Sequence, residues 1–240
     1  MTEKLSTEDE RFQEIGDHIE TVQARIKLAA EKSGRKPSDI TLVAVTKTMP
    51  ASDVSAALAC GVTVFGENRV QEMLTKLPQL TMRGRQAHII GHLQTNKVKS
   101  IIDKVDMIQS VDSLHLAREI DLQAEKCDRR MDVLIEVNIG GEASKSGVEP
   151  DKLPQLLDEI ASMKHIRVCG LMSIPPFCEE KELARQYFVK MNKLFVDIGE
   201  KKTDNMNMSI LSMGMSGDFD VAIEEGSNMV RVGTAIFGKR

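Results

Sequence analysis

The chain has 240 residues, a formal net charge of −4 and few aromatic side chains: seven Phe, one Tyr and no Trp. The shortage of aromatics disfavours a protein that stacks RNA or single-stranded DNA bases on its side chains. The acidic balance disfavours binding to a phosphate backbone. The charged N-terminus has no apolar core, and no run of 18 apolar residues occurs, so neither a signal peptide nor a membrane span is expected. Four cysteines without CxxC spacing fit a reduced, cytoplasmic protein.

The first predicted element is an amphipathic helix over residues 8–33, where apolar residues recur at spacings of three and four. After it, short apolar runs alternate with helical stretches. The apolar runs predict strands at Thr41–Val45, Val62–Phe65, Ala87–Ile90, Val105–Gln109, Val133–Val137, Ile166–Leu171, Met208–Leu211 and Met229–Val232. The predicted helices between them cover about 50–60, 67–77, 94–103, 112–127, 150–163, 179–201 and 217–225.

Strands that alternate with helices form a mostly parallel sheet. Eight such units favour one closed α/β barrel, a (β/α)8 TIM barrel, over an open doubly wound sheet. No GxGxxG follows the first strand, which weighs further against the open alternative. No linker or shift in composition divides the chain, so residues 1–240 are predicted to form a single domain. The long first helix is expected to occupy the outer-ring place of a helix missing after the last strand.

Lys47 follows an otherwise apolar strand, and the active sites of such barrels lie at the C-terminal ends of the strands. A lysine in the barrel mouth that is desolvated, or near other cations, has a depressed pKa. Its neutral amine then attacks carbonyl groups. The alternative is a lysine just past the strand that extends into solvent.

The ends of the last two strands are rich in glycine and hydroxyl residues: residues 212–218 read SMGMSGD and residues 231–234 read RVGT. Barrels often bind a phosphate between these two loops, and Ser212, Gly233 and Thr234 would supply donors. The alternative is that residues 212–218 only cap the following helix. A reactive lysine opposite a phosphate site in one mouth describes a pyridoxal phosphate site.

Six segments together resemble the YggS/PROSC family of pyridoxal-phosphate-binding homeostasis proteins. They follow in order across almost the whole chain: LVAVTKTMP (42–50), FGENRVQE (65–72), HIIGHLQTNK (88–97), EVNIGGEASKSGV (136–148), GLMSIPP (170–176) and LSMGMSGDFDVAIEEGSNMVRVGTAIFG (211–238). The resemblance implies a barrel shared with the N-terminal domain of alanine racemase and pyridoxal 5'-phosphate as cofactor. It makes Lys47 the Schiff-base lysine.

The resemblance also implies that Ser212, Gly233 and Thr234 contact the phosphate and that Arg231 faces the pyridine nitrogen. An arginine there disfavours protonation of the ring, which becomes a weaker electron sink. The alternative for Arg231 is an ion pair at the rim with Glu224 or Glu225.

Several other polar residues are weaker candidates. Further cofactor contacts are expected from Asn68, Asn138 and Met213. Lys145 is either a second amine or a solvated loop lysine. Glu67 is expected to open a helix, where it would suit the dipole. His88 and His92 are expected to form a hydrogen-bonded structural pair, not a metal site, because HxxxH ligation requires a helix.

Two functions remain: a carrier that stores pyridoxal phosphate and delivers it to apo-enzymes, or a fold-type III amino-acid racemase or related enzyme. The racemases add a C-terminal β-domain and use a tyrosine as second base. The only tyrosine here, Tyr187, falls in a predicted helix. The carrier without catalytic turnover is therefore favoured, as a cytoplasmic monomer. A scaffold that binds a phosphorylated metabolite without a Schiff base is a third possibility.

Overall fold

The computed structural model describes residues 7–142, 145–200 and 205–238. Eight parallel strands close into a barrel in chain order, and the last strand pairs with the first. The strands are β1 Thr41–Val45, β2 Val64–Glu67, β3 Gln86–Ile89, β4 Met107–Val111, β5 Met131–Val137, β6 Ile166–Ser173, β7 Met206–Ser212 and β8 Met229–Val232. The predicted single TIM barrel is confirmed, with every predicted strand overlapping an observed one.

Helices surround the barrel. They are α1 Thr7–Lys32, α2 Ala51–Ala59, α3 Val70–Lys76, α4 Thr95–Ile101, α5 Leu114–Lys126, α6 Leu153–Ile160, α7 Lys181–Gly199, α8 Phe219–Glu224 and α9 Thr234–Phe237. Within the described ranges, none of them is long and apolar enough to cross a bilayer. The short α9 was not predicted, because four residues carry no readable periodicity.

The long helix α1 packs against α2, α8 and α9, and so lies where the barrel would otherwise lack an outer helix, as predicted. Its apolar face, which includes Ile15, Ile19 and Val22, is buried. Two polar contacts fix its orientation. Arg11 forms an ion pair with Asp53 at 2.7 Å, and the Arg25 guanidinium lies 4.2 Å from the centre of the Phe219 ring on α8.

The second strand begins later than predicted, because Val62 still belongs to the turn that closes α2. The Val62 N–H bonds the Ala57 carbonyl at 3.2 Å. Glu67 is consequently the last residue of β2, and α3 begins only at Val70. The prediction that Glu67 opens a helix and complements its dipole is wrong, since its carboxylate is fully buried beside Lys76 and Thr46.

The inside of the barrel is apolar at its centre and polar toward the C-terminal ends of the strands. The central layer contains Val43, Val64, Met107, Leu134, Cys169, Met172 and Met229. Alternate residues of a strand point to the same side. Gln109 therefore follows Met107 into the barrel, and Glu136 and Arg231 follow Leu134 and Met229. This polar layer forms the floor of the barrel mouth.

Strands β6 and β7 approach each other unusually closely at Gly170. Its φ is +155°, and a Cβ atom there would lie 1.8 Å from the Ile210 carbonyl oxygen. The pairing register of the two strands shifts just before this point. Glycine is therefore required where the strands carry Ser173 and Ser212 up to the mouth.

Candidate functional site

A cavity of about 740 Å³ opens at the C-terminal ends of the strands, within the range of about 300–1,000 Å³ that is usual for small-molecule sites. It is the place where barrel enzymes bind their ligands. Its lining brings together most of the predicted contacts: Lys47, Asn68, Arg231, Gly233 and Thr234. Lys145 and Ser216 also line it, whereas Ser212, Met213 and Asn138 do not.

Lys47 lies in the turn that follows β1, closed by a hydrogen bond of 3.0 Å from the Met49 N–H to the Thr46 carbonyl. It is half-buried and lines the cavity beside Val45. The alternative of a lysine that extends freely into solvent is therefore not what the structure shows.

The loops after β7 and β8 are joined by Ser216. Its hydroxyl oxygen accepts hydrogen bonds from the Gly233 N–H at 3.1 Å and the Ala235 N–H at 3.2 Å. Asp218 closes the first loop by accepting a bond of 2.6 Å from the Met215 N–H. Burial raises the pKa of Asp218, and this bond and the Arg231 charge oppose the shift. The two loops thus form one wall of small and hydroxyl residues.

The structure does not place Ser212 in this wall. Its side chain is fully buried below the cavity, where its hydroxyl oxygen accepts a hydrogen bond from Arg231 Nη1 at 2.6 Å. Met213 points the other way, into the apolar core between strands and helices. Alternation along β7 explains both positions, since Ser212 faces the barrel interior and the next residue faces outward.

Arg231 reaches the cavity from β8 and is only 3% exposed. Its Nη2 donates a hydrogen bond of 2.8 Å to the Ser173 carbonyl oxygen. Burial lowers its pKa to about 10, although the charges of Glu136 and Asp218 act to raise it, so the guanidinium remains protonated at neutral pH. The alternative of a rim ion pair with Glu224 or Glu225 is excluded, because both carboxylates bind Arg185 on α7.

Behind Arg231 a hydrogen-bonded chain runs into the barrel. The Ser212 hydroxyl donates to Gln109 Oε1 at 2.8 Å, and Gln109 Nε2 lies 2.9 Å from His88 Nδ1. Arginine can only donate, so each group in the chain donates onward and His88 Nδ1 accepts. Burial lowers the pKa of His88 to about 4, which keeps the ring neutral. Its other nitrogen, Nε2, is buried without a partner.

The predicted pair of His88 and His92 is wrong. His92 is exposed at the rim, where its Nδ1 lies 3.4 Å from a carboxylate oxygen of Asp112. His88 lies within β3 and is buried, whereas His92 follows the end of the strand at Ile89. No cluster of metal-ligating side chains occurs among the residues that the structure describes.

Asn68 lines the cavity just after β2, beside the Gly91 backbone. A Cβ atom at Gly91 would lie 2.7 Å from Asn68 Cα, so glycine is required for this approach. Asn138 behaves differently from the prediction. Its amide Nδ2 donates to the Glu142 carbonyl at 2.9 Å, which orders the loop after β5.

Lys145 lies in the loop after β5, lines the cavity and is half-buried. The Lys145 ammonium forms an ion pair with Glu142 at 2.6 Å and donates to the Pro175 carbonyl at 3.2 Å. It therefore connects the loops after β5 and β6 across one side of the mouth, which the interpretation as a solvated loop lysine did not anticipate.

Glu136 was not predicted as part of the mouth. Burial and the charge of Asp112 raise its pKa to about 7, with Arg231 and His92 opposing the shift. Glu136 is not a strand-end residue, since it lies one residue before the end of β5. Alternation from the apolar Leu134 was the signal that could have found it.

Residues 18–240 match the family model described as alanine racemase, N-terminal domain. A protein of Aquifex aeolicus named pyridoxal phosphate homeostasis protein is 44% identical, over 93% of this chain and 97% of that protein. The structure of PipY from Synechococcus elongatus with PLP bound is 29% identical with a TM-score of 0.81, over 93% of this chain and 100% of PipY.

Alanine racemase from Corynebacterium glutamicum is 18% identical with a TM-score of 0.65, and the match covers 92% of this chain and 61% of the racemase. At that identity the likeness concerns the fold alone. The matches along nearly the whole length, at 44% identity in sequence and a TM-score of 0.81 in structure, establish the relationship. This chain belongs to the family of pyridoxal phosphate homeostasis proteins.

Proposed function

We propose that this protein binds pyridoxal 5'-phosphate in the barrel mouth, covalently through Lys47, and serves to store and deliver it inside the cell. The observation that carries the proposal is the cavity itself: it places a primary amine, a buried guanidinium and a wall of hydroxyl and glycine residues around one space of about 740 Å³. The named homeostasis relatives and the PLP-bound PipY support it.

The residues present fit this cofactor. Lys47 would hold the cofactor through a C=N bond from its amine nitrogen to the aldehyde carbon, with the aldehyde oxygen lost as water. The Ser216 and Thr234 hydroxyls are suited to the phosphate as donors, and Gly217 and Gly233 leave room for it by their small size. In this assignment Ser216 takes the phosphate-binding role predicted for Ser212.

Arg231 would face the pyridine nitrogen. Because the buried guanidinium is a cation that can only donate, it disfavours a protonated ring nitrogen and makes the ring a weak electron sink. The bonds to Ser212 and Ser173 hold it in place. These features suit a protein that holds the cofactor more than one that stabilises a carbanion on it.

A carrier without catalytic turnover is the second part of the proposal. Tyr187 lies on the outer helix α7, with the Lys190 ammonium 5.9 Å from the centre of its ring. Among the described residues that line the cavity there is no tyrosine, so this chain offers no counterpart of the tyrosine base used by racemases. We propose apo forms of cytoplasmic pyridoxal-phosphate enzymes as recipients and a monomer as the working unit.

The absorbance spectrum of the protein loaded with pyridoxal phosphate, before and after borohydride, tests the covalent part. We expect a visible band that borohydride removes, with the reduced adduct located on Lys47 by peptide mass spectrometry. Lys47→Ala should abolish the band, whereas the exposed-lysine control Lys104→Ala should retain it. A full-stoichiometry reducible adduct in Lys47→Ala would contradict the assignment, and a phosphate-dependent binding without any band would indicate a metabolite scaffold.

The carrier part is tested by two assays. Loaded protein mixed with an apo-enzyme should restore that enzyme's activity. Incubation with a panel of amino acids should give no racemisation or decarboxylation. Turnover at rates of about 1–10³ per second, which are typical of enzymes, would overturn the carrier and favour a fold-type III enzyme.

A further inference from the structure

We propose that Glu72 and Lys76 of α3 are positioning residues for Lys47. Together they hold the two peptide groups on either side of Lys47 and so aim its side chain into the cavity. The inference rests on the proposed function, because it concerns the residue assigned to carry the cofactor. It gives a role to Glu72 and to Lys76, which also forms a buried ion pair with Glu67.

The peptide group before Lys47 is hydrogen-bonded to Lys76. The Lys76 Nζ donates to the Thr46 carbonyl oxygen at 2.8 Å and to Glu67 Oε1 at 2.6 Å. The same carboxylate oxygen accepts a bond of 2.6 Å from the Thr46 hydroxyl. Thr46 and Glu67 are fully buried and Lys76 is only 6% exposed. Water therefore cannot easily replace these partners, and the direction of the Thr46–Lys47 peptide is fixed.

The peptide group after Lys47 is held by Glu72. The Thr48 N–H donates to Glu72 Oε2 at 2.6 Å. Thr48 has a φ of +66°, in the left-handed region that a threonine rarely adopts. Burial acts to raise the pKa of Glu72, but the bond from Thr48 and the charge of Lys76 outweigh it, and the pKa is lowered. The carboxylate is thus ionised at neutral pH and stabilises the strained turn.

Both contacts come from one face of one helix. Glu72 and Lys76 are four residues apart, and their charged ends lie 3.5 Å from each other. The helix therefore acts as a single clamp across Lys47, with one bond to the peptide on each side. The bonds go to main-chain atoms that flank Lys47, and not to side chains elsewhere on β1. A clamp of this kind fixes the Cα–Cβ direction of Lys47 before the cofactor arrives.

Orientation of a nucleophile affects the rate of covalent bond formation more than the stability of the fold. Variants of Glu72 separate an effect on the rate from an effect on stability. Glu72 is part-exposed, and its substitution leaves the buried ion pair of Glu67 and Lys76 in place. Glu72→Ala removes the acceptor. Glu72→Asp keeps the charge but is one methylene too short to reach the Thr48 N–H. Glu72→Gln loses the charge but keeps an oxygen at the same reach.

The experiment measures the first-order rate of appearance of the visible band at saturating pyridoxal phosphate, by stopped flow. Each variant is also examined for its thermal midpoint and for the location of the borohydride-reduced adduct. Gln71→Ala, an exposed neighbour on α3, is the matched control. We expect Glu72→Ala and Glu72→Asp to slow the reaction about tenfold or more. Glu72→Gln and Gln71→Ala should stay within about threefold of the unaltered chain.

The outcomes separate this inference from the proposed function. If the unaltered chain forms its adduct on Lys47, but Glu72→Ala and Glu72→Asp react at its rate, the positioning role is wrong and the cofactor assignment stands. A normal rate for Glu72→Asp combined with a slow Glu72→Gln would show that charge, not position, matters, and would also overturn it. If the unaltered chain forms no adduct on Lys47, both proposals fail.

Discussion

The Arg231 guanidinium donates a hydrogen bond of 2.6 Å from Nη1 to the Ser212 hydroxyl beneath the floor of the cavity. The hydroxyl has one proton, which is directed to Gln109 Oε1 at 2.8 Å. Ser212 therefore has no proton left for a phosphate in the cavity. Ser216, whose hydroxyl oxygen accepts two backbone bonds, retains its proton as a donor.

This difference predicts opposite results for two serine substitutions. Ser212→Ala leaves polar atoms of Arg231 and Gln109 buried without a partner, and should lower the free energy of unfolding by about 1–3 kcal/mol. Ser216→Ala should weaken binding of pyridoxal phosphate but not of pyridoxal, which has no phosphate. The measurement for each variant is the dissociation constant of pyridoxal divided by that of pyridoxal phosphate, together with urea unfolding of the apo-protein.

Each variant serves as the control for the other. The ratio should fall in Ser216→Ala and stay near that of the unaltered chain in Ser212→Ala. A ratio that falls only in Ser212→Ala would restore the phosphate role that the sequence first indicated for it.

The barrel itself was predictable because its signals are local. Strands buried on both faces appear as short apolar runs, and helices between them show their own spacing. The site was predictable only where a strand fixes its direction. Lys47 comes shortly after the end of β1, and Arg231 lies within β8. Ser216 lies in a loop, where no period tells which side chain faces the cavity.

Contacts between residues far apart in the chain could not be predicted from the sequence. Nothing in the sequence indicates that Lys76, at the end of a helix, reaches back to the Thr46 carbonyl 30 positions earlier. The same holds for Glu67, which was interpreted by its neighbours in the chain and not by its partners in space. Such residues become intelligible only when the closed barrel brings β1 and α3 together.

The close approach of β6 and β7 gives a stability prediction. Gly170→Ala would place a methyl group 1.8 Å from the Ile210 carbonyl, so the strands must separate or the residue must change its conformation. We expect a loss of at least about 3 kcal/mol in unfolding free energy, or no folded protein. Gly199→Ala, where the nearest atom would be at 3.6 Å, is the control and should change stability by less than about 1 kcal/mol. Equal stability of the two variants would contradict the close approach.

Glu136 predicts an unusual pH dependence. Burial and the Asp112 charge raise its pKa from the ordinary 4.5 to about 7, so the folded state keeps a proton that the unfolded state releases between these values. The free energy of unfolding contributed by this group therefore falls as pH rises from 4.5 to 7, by roughly 3 kcal/mol. Glu136→Gln, a neutral isostere, should gain stability over the unaltered apo-protein across this window and little below it.

Urea unfolding at several pH values measures this difference. Glu125→Gln, on the exposed side of α5, is the matched control for the loss of one carboxylate. If Glu136→Gln differs from the unaltered chain by the same amount at pH 4.5 and pH 8, Glu136 titrates normally and the prediction fails.

His88 has the opposite effect on the pH dependence of the free energy of unfolding. Burial lowers its pKa from 6.5 to about 4, so between these values the unfolded state binds a proton that the folded state does not. Stability from this group is complete above pH 6.5 and falls as the pH drops toward 4, by roughly 3 kcal/mol. In the unaltered chain the slope from Glu136 opposes this one between pH 4.5 and 6.5. The loss should therefore become visible in Glu136→Gln.

Adding His88→Asn to Glu136→Gln should flatten that slope, because asparagine keeps an acceptor for Gln109 Nε2 but does not titrate. Histidine NMR gives the direct measurement, in which the His88 ring should stay neutral until the pH falls toward 4. Protonation of His88 makes Nδ1 a donor, which is incompatible with the bond from Gln109 Nε2 and breaks the hydrogen-bonded chain that supports Ser212 and Arg231. A His88 ring that titrates near pH 6.5 would mean that this chain of donors does not have the order derived from the arginine.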